Sequence, residues 1–315
     1  MEAIKLGGQI NFKPFSLIAS KLASFPAHET FKPMSHELSA IAYELINGVR
    51  GVIFNSKDGV SFFQFKNLNK FATIRHGIFT RHCGHSTGNF KSLNVGYDLG
   101  DSADDVGKNR DRISRAIEGQ DLVFVKQVHG DQVVKLNSDN LDSYGGIHRA
   151  IGTGDALVTN ISGKFLTTQL ADCQSILLYD PARHVIANVH SGWRGSIKNI
   201  LGRAVGVMEK YFKCHSPHII AGIGPSLGPC CAEFVNYRQE IPPKFWRYKS
   251  ADEHFDFWAL SRDQLTHAGV LDENIETSNM CTKCNTETFF SYRGEERTGR
   301  FASVIGLNRK TSATD

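Results

Sequence analysis

No stretch of this 315-residue chain stays apolar for the roughly 18 residues that a membrane span needs. Met1–Leu6 opens no signal-type apolar region either. The seven cysteines are an odd number, which argues against a disulfide framework. A soluble, reducing, cytoplasmic protein is the expectation. The net charge of +4 is small for this length and no dense basic tract occurs, so neither a nucleic acid nor a membrane is expected as partner. There is no repeat, no linker and no low-complexity segment. None of the thirteen histidines forms the H-x-H pairs that a multicopper oxidase needs; His82–His85 and His215–His218 are only H-x-x-H.

What remains is ordinary globular composition, 41% apolar and 22% charged, enough for a full core without staples. Residues 1–50 differ from the rest. Phe12–Phe31 is apolar and basic with no sustained period, Glu37–Ile46 suits a short amphipathic helix, and the segment reads as an extension with no assigned chemistry. From Gly51 onward the pattern is globular. Strands are expected at 59–65, 73–80, 155–160, 164–170, 218–224 and 301–307, with 121–130 a strand running into a turn and a hairpin joining 174–180 to 184–190. A long polar loop covers 81–96. A helix is expected over 102–117, with Ser102 and Asp105 as a reciprocal N-terminal cap and Val106, Ile113 and Ile117 on one face. A second is expected over 196–212, with Ile197, Ile200, Leu201, Ala204, Val205, Met208 and Tyr211 as its apolar face. One intertwined domain fits this order better than two.

Three segments share a form, an apolar strand ending in a metal-capable side chain: "VKQVHG" with His129, "TTQLADCQS" with Cys173, "ANVHSGWRG" with His190. Strand ends converge at sheet edges, where sites form. Two imidazoles and a thiolate suit zinc and leave a fourth position for water or substrate. A zinc ion there lowers the pKa of bound water. Asp172 is a candidate to orient a ligand, although strand alternation points it away. The same atoms also fit Cys173 as nucleophile with His190 or His129 as base, and each residue singly fits a plain buried strand end.

"CTKC" at 281–284 is a C-x-x-C without a second such pair, open to redox, structural or plain turn roles. Adjacent Cys230 and Cys231 are badly placed for a disulfide with each other and are expected to pack. Anion-binding candidates are Arg194, at an expected helix start, Arg293, Arg297 and Arg300 around a glycine turn, and Arg110, which also suits the charged face of its helix. The turn "GIGPSLGPCC" offers backbone N–H groups.

Together, "RHGIFTRHCGHSTGNFKSLNVG", "DDVGKNRDRI", "VKQVHG", "ADCQSILLYD", "VHSGWRGS", "IGPSLGPCCAEF" and "CTKCNTETFFSYRGEERTGRFASVIG" resemble the laccase-domain, peptidoglycan-editing-factor type family of purine nucleoside phosphorylases. They span 73–307 in order. The resemblance implies an α+β fold, mixed β-sheets packed between α-helices in a single domain like that of cysteine-hydrolase toxins, and a monomer. It implies a catalytic domain over 51–315, with zinc held by His129, Cys173 and His190, which are also its catalytic residues. It implies substrate contacts from Arg110, with Asn94, Arg194 and Arg300 as further candidates. The implied substrates are small molecules, purine nucleosides and phosphate. The implied activities are phosphorolysis of adenosine, inosine and methylthioadenosine, deamination of adenosine, and editing of cell-wall precursors. The alternative is a cysteine hydrolase or amidase using Cys173 and His190. Two departures stand in loops: Cys83 replaces a glycine in "TRHCG", and Gly294 replaces an arginine in "SYRG".

Overall fold

The computed structural model describes residues 51–119, 121–137 and 150–309; the N-terminal segment, including the expected helix at Glu37–Ile46, lies outside them. In chain order the strands are β1 (Val52–Lys57), β2 (Val60–Phe65), β3 (Ile74–Phe79), β4 (Asp121–Lys126), β5 (Val133–Leu136), β6 (Ala150–Thr153), β7 (Ala156–Thr159), β8 (Lys164–Leu170), β9 (Gln174–Asp180), β10 (Val185–Ser191), β11 (Ile220–Ile223), β12 (Ile275–Thr277) and β13 (Phe301–Leu307). The helices are α1 (Ala103–Ala116), α2 (Trp193–Ile197), α3 (Ile200–Phe212), α4 (Tyr237–Glu240), α5 (Phe257–His267) and α6 (Tyr292–Glu295).

The strands form two sheets, ordered β1-β2-β3-β13-β8-β4-β6 and β12-β11-β9-β10-β7-β5. Both are mixed: β4 runs parallel to β8 and β6, and β5 and β12 run parallel to β7 and β11, while the other pairs are antiparallel. The fold is therefore α+β with mixed sheets. Phe65, Leu68, Ile78, Leu177, Tyr179, Ile186 and Phe301 fill the space between the sheets. Val106 lies at the start of α1; Ile113 and Ile117 join Phe79, Phe124 and Phe165 in a second cluster on the outer face of the first sheet. Ile200, Leu201, Ala204, Val205 and Met208 of α3 cover the second sheet with Leu265 of α5. β9 and β10 are buried along all seven residues each, which is why they read as unbroken apolar runs. Their hairpin is closed by Asp180, whose Oδ1 accepts from the N–H groups of Ala182 and Arg183 at 2.9 and 3.1 Å.

Two expected elements differ. The helix expected over 196–212 is two helices, α2 and α3. The chain breaks at Asn199, which is left-handed at φ 58° and caps α3 by accepting from Gly202 N–H at 3.1 Å. Tyr211, placed on the apolar face, is 50% exposed and packs under the Lys135 ammonium instead. The cap of α1 is only half reciprocal. Ser102 Oγ accepts from Asp105 N–H at 3.3 Å, but the Ser102 N–H donates to Asp101 Oδ1 at 2.8 Å, so Asp101 supplies the returning carboxylate. Among the described residues no helix is long and apolar enough to cross a membrane.

Candidate functional site

The chain passes from one sheet to the other through Ala171–Cys173, between β8 and β9. Asp172 takes φ 87° to make that crossing. Cys173 thus stands at the mouth of the seam, one residue before β9. His190 is the next-to-last residue of β10 and lies opposite Ser175 of β9, so the hairpin register alone brings His190 beside Cys173. His129 comes from the other sheet, on the turn after β4, where it holds φ 58°. One nitrogen from each histidine and the Cys173 sulfur lie within 4.8 Å of one another. The two rings meet edge to face with centroids 5.0 Å apart. The three strand-end side chains do come together, but the ends belong to two sheets, not to one edge.

Asp155, just before β7, organises this trio. Its carboxylate accepts from the backbone N–H groups of His129 at 2.9 Å and Gly130 at 2.7 Å, which shapes the His129 turn. It also pairs with His190 Nδ1 at 2.9 Å. Burial alone would raise the Asp155 pKa, but the His190 hydrogen bond and the two N–H groups hold it below the usual value. An ionised carboxylate only accepts, so Nδ1 carries a proton and donates it, and the other ring nitrogen, turned to the Cys173 sulfur, is the one that gives up its proton when a metal binds. Burial likewise opposes the charge on His190 and on Cys173, and their mutual attraction overrides it. With Asp155 helping, His190 is held up to about 9. With both histidines hydrogen-bonding to its sulfur, Cys173 is brought down to about 6. A thiolate at neutral pH is the form that binds a metal. Gly192 completes the seat, because a Cβ there would meet His129 Cδ2 at 2.9 Å and the Cys173 sulfur at 3.0 Å.

A cavity of about 1050 Å³ opens over the trio. Arg110, Arg194, Arg293 and Arg300 line it, with Trp193, Phe234, Phe257 and Tyr292. Arg110 is 3% exposed and faces inward, not onto the charged face of its helix. Its guanidinium lies between the rings of Tyr97 and Phe124, 4.2 and 3.9 Å from their centroids, and donates to Val95 O. Burial lowers its pKa to about 10, which leaves it charged at neutral pH. Arg194 is exposed and stacks on Trp193 at 4.6 Å; the helix it opens is only five residues long. Arg300 donates to the carbonyls of Thr298 and Gly299. Arg297 is outside the lining and packs over Phe90. Asn94 is fully buried behind the wall; its Oδ1 accepts from the backbone N–H of Arg300 at 2.8 Å and its Nδ2 donates to Asp101 at 2.7 Å. It positions the Arg300 backbone and does not face the cavity.

Asp172 does not reach a ligand. Its side chain accepts from Thr282 Oγ1 (2.6 Å), Ser291 Oγ (2.7 Å) and Arg293 N–H (2.6 Å), tying two loops to the crossing. The residue that does orient one of the three, Asp155, has no sequence signal beyond a carboxylate opening the apolar strand "DALVTN". Cys230 and Cys231 do not pack into the core but meet Cys281 and Cys284. Of the histidines among the described residues, only His129 and His190 enter a group of three or more metal-capable side chains.

Two imidazoles and a thiolate, a group able to hold a metal ion, thus lie under an arginine-lined cavity. The chain belongs to the family described as multi-copper polyphenol oxidoreductase laccase, whose sequence model matches residues 75–308. It is 33% identical to purine nucleoside phosphorylase YlmD of Geobacillus stearothermophilus over 75% of this chain and 91% of that protein. It is 33% identical to purine nucleoside phosphorylase YfiH of Escherichia coli K12, over 72% and 91%. The crystal structure of YlmD from Geobacillus stearothermophilus superposes with a TM-score of 0.72 at 31% identity, covering 82% of this chain and all of that one. That of the Bacillus licheniformis protein YfiH gives 0.72 at 28%, covering 81% and 99%.

Proposed function

We propose that residues 51–315 form a zinc-dependent purine nucleoside phosphorylase that also deaminates adenosine, acting as a monomer on small molecules, with residues 1–50 as an extension. The observation that carries this reading is the placement of His129, Cys173 and His190 on the same cavity as four arginines. The space suits a nucleoside together with phosphate.

The donor set fits zinc: three ligands of the right kinds, a carboxylate behind one imidazole, and an open side toward the cavity. When bound, the ion supplies a Lewis acid. The protein's own groups do the rest. Arg110, Arg194, Arg293 and Arg300 offer cationic donors that hold phosphate near C1′ of the ribose and stabilise its charge as the bond to the base breaks. Phe234, Phe257 and Trp193 offer apolar faces to a purine ring. Asp155 keeps the proton on His190 Nδ1. For deamination a group must pass a proton to the departing ammonia. The cavity's carboxylates are Asp98 and Asp172; both Asp172 oxygens are committed to the loops, so Asp98 is the candidate.

The donors speak against copper oxidation, because the two groups of metal-capable side chains among the described residues hold only two histidines between them. The cysteine-hydrolase alternative is less well supported. The relatives are named purine nucleoside phosphorylases, and two imidazoles on the Cys173 sulfur are one more than a Cys173–His190–Asp155 nucleophile and base would need. The test is turnover of adenosine with and without phosphate, read by product. Adenine with ribose 1-phosphate means phosphorolysis and inosine means deamination. No product from any purine nucleoside, nor from cell-wall precursors, ends the reading.

A further inference from the structure

Four cysteines gather outside the cavity. Cys230 and Cys231 lie on the turn after β11, and Cys281 and Cys284 on the loop after β12. Their four sulfurs are within 4.8 Å of one another. Cys284 Sγ stands 3.5 Å from Cys230 Sγ and 3.5 Å from Cys231 Sγ. A tetrahedral zinc–thiolate site, with zinc–sulfur bonds of about 2.3 Å, has sulfur–sulfur edges of about 3.8 Å. The cluster is already at that size.

The backbone brings the two loops together on its own. Ser226 and Cys281 form a parallel bridge, with Ser226 N–H donating to Met280 O at 3.2 Å and Thr282 N–H to Ser226 O at 3.0 Å. The Cys281 sulfur accepts from the backbone N–H groups of Gly228 and Cys284. Amide donors of that kind stabilise a metal-bound thiolate. Disulfides are a poorer match. Adjacent Cys230 and Cys231 are badly placed to bridge each other, and Cys284 is shared equally between two partners, as a common ion allows and a single S–S bond does not. All four thiols are unbridged.

We propose that Cys230, Cys231, Cys281 and Cys284 bind a second, structural metal ion of the zinc class. Four thiolates leave no vacancy, so this ion holds structure and does no chemistry. What it holds is the cavity wall. Thr282, inside the C-x-x-C, and the Arg293 N–H both bond the Asp172 carboxylate, Leu227 N–H bonds Asp172 O, and Arg293 Nη1 donates to Glu233 O beside Cys231. Asp172 is the neighbour of Cys173, so the clamp reaches the trio through one residue.

The proposal does not rest on the reading of the cavity, and its test keeps the two apart. Metal content is measured on the full chain and on the Cys173→Ala/His190→Ala double variant, which removes the trio. The double variant is expected to keep one equivalent of zinc, and a further Cys284→Ser change to release it. Cobalt(II) loading of that double variant is expected to give the intense sulfur-to-cobalt charge-transfer bands of a tetrahedral four-thiolate site, and this covers the case in which the Cys284 variant fails to fold. A double variant that neither retains nor takes up zinc on titration overturns the proposal. So does mass spectrometry showing a disulfide among the four in freshly prepared protein.

Discussion

Asp155 and His190 share a hydrogen bond of 2.9 Å, and both side chains are sealed from solvent. Asp155 also takes the N–H groups of the His129 turn, so one carboxylate sets the position of two metal-capable imidazoles that come from different sheets.

Asp155→Asn tests that dependence. An amide presents an NH₂ toward either His190 Nδ1–H or the Gly130 N–H, and both are donors. Zinc affinity is expected to fall by about 10–100-fold, measured by chelator competition, while the Cys173 sulfur remains in place. Unchanged affinity would remove Asp155 from the site.

Gly192→Ala probes the seat sterically. The new methyl group falls against His129 and the Cys173 sulfur. Metal binding and turnover are expected to drop together, with the far-UV spectrum unaltered. Wild-type zinc content in this variant would mean the three donors do not converge as described.

Cys173 in metal-free protein is expected to react with iodoacetamide in step with its thiolate, with half-maximal rate near pH 6, far below an ordinary thiol. Zinc is expected to suppress the reaction at every pH. Rapid labelling of metal-replete protein would instead favour the hydrolase reading.

His76 sets an acid limit on stability. Burial lowers its pKa to about 3, and its Nε2 accepts from Phe65 N–H at 2.8 Å, which the neutral ring alone can do. The unfolded chain therefore binds the extra proton between about pH 6.5 and 3, and stability falls as pH drops through that window. From pH 7 to pH 5 the loss from this group is about 2 kcal/mol. Urea melts at both pH values measure it, and His76→Gln is expected to flatten the difference.

Cys83→Gly is expected to stabilise the protein by about 1 kcal/mol. Cys83 is exposed and holds φ 64°, a backbone conformation that costs a side chain and suits glycine. The resemblance to the family puts a glycine at this place. A thermal melt showing no gain would mean that the thiol makes a compensating contact.

The trio was legible because each member ends an apolar strand, and "VHSGWRG" after a fully buried run announces a site. The four-cysteine cluster was not. The sequence holds one C-x-x-C, and its partner is an adjacent pair some fifty residues earlier, a spacing that matches no local metal motif. Asn94 illustrates the reverse: its motif suggested contact with substrate, yet its amide is spent behind the wall on Asp101 and on the Arg300 backbone.

By itself the sequence determined most of the strands, though not the short or partly exposed β1, β5, β6 and β12, the hairpin that lays His190 beside Cys173, and the donor types, since period and chemistry are local properties. The tertiary structure decided that β4 and β10 stand in different sheets and meet at one seam, that Arg110 points inward, and that a carboxylate 35 residues from His190 holds its ring. Those outcomes depend on which strands pair and which faces bury. The packing of two sheets fixes that all at once, and no single segment encodes it.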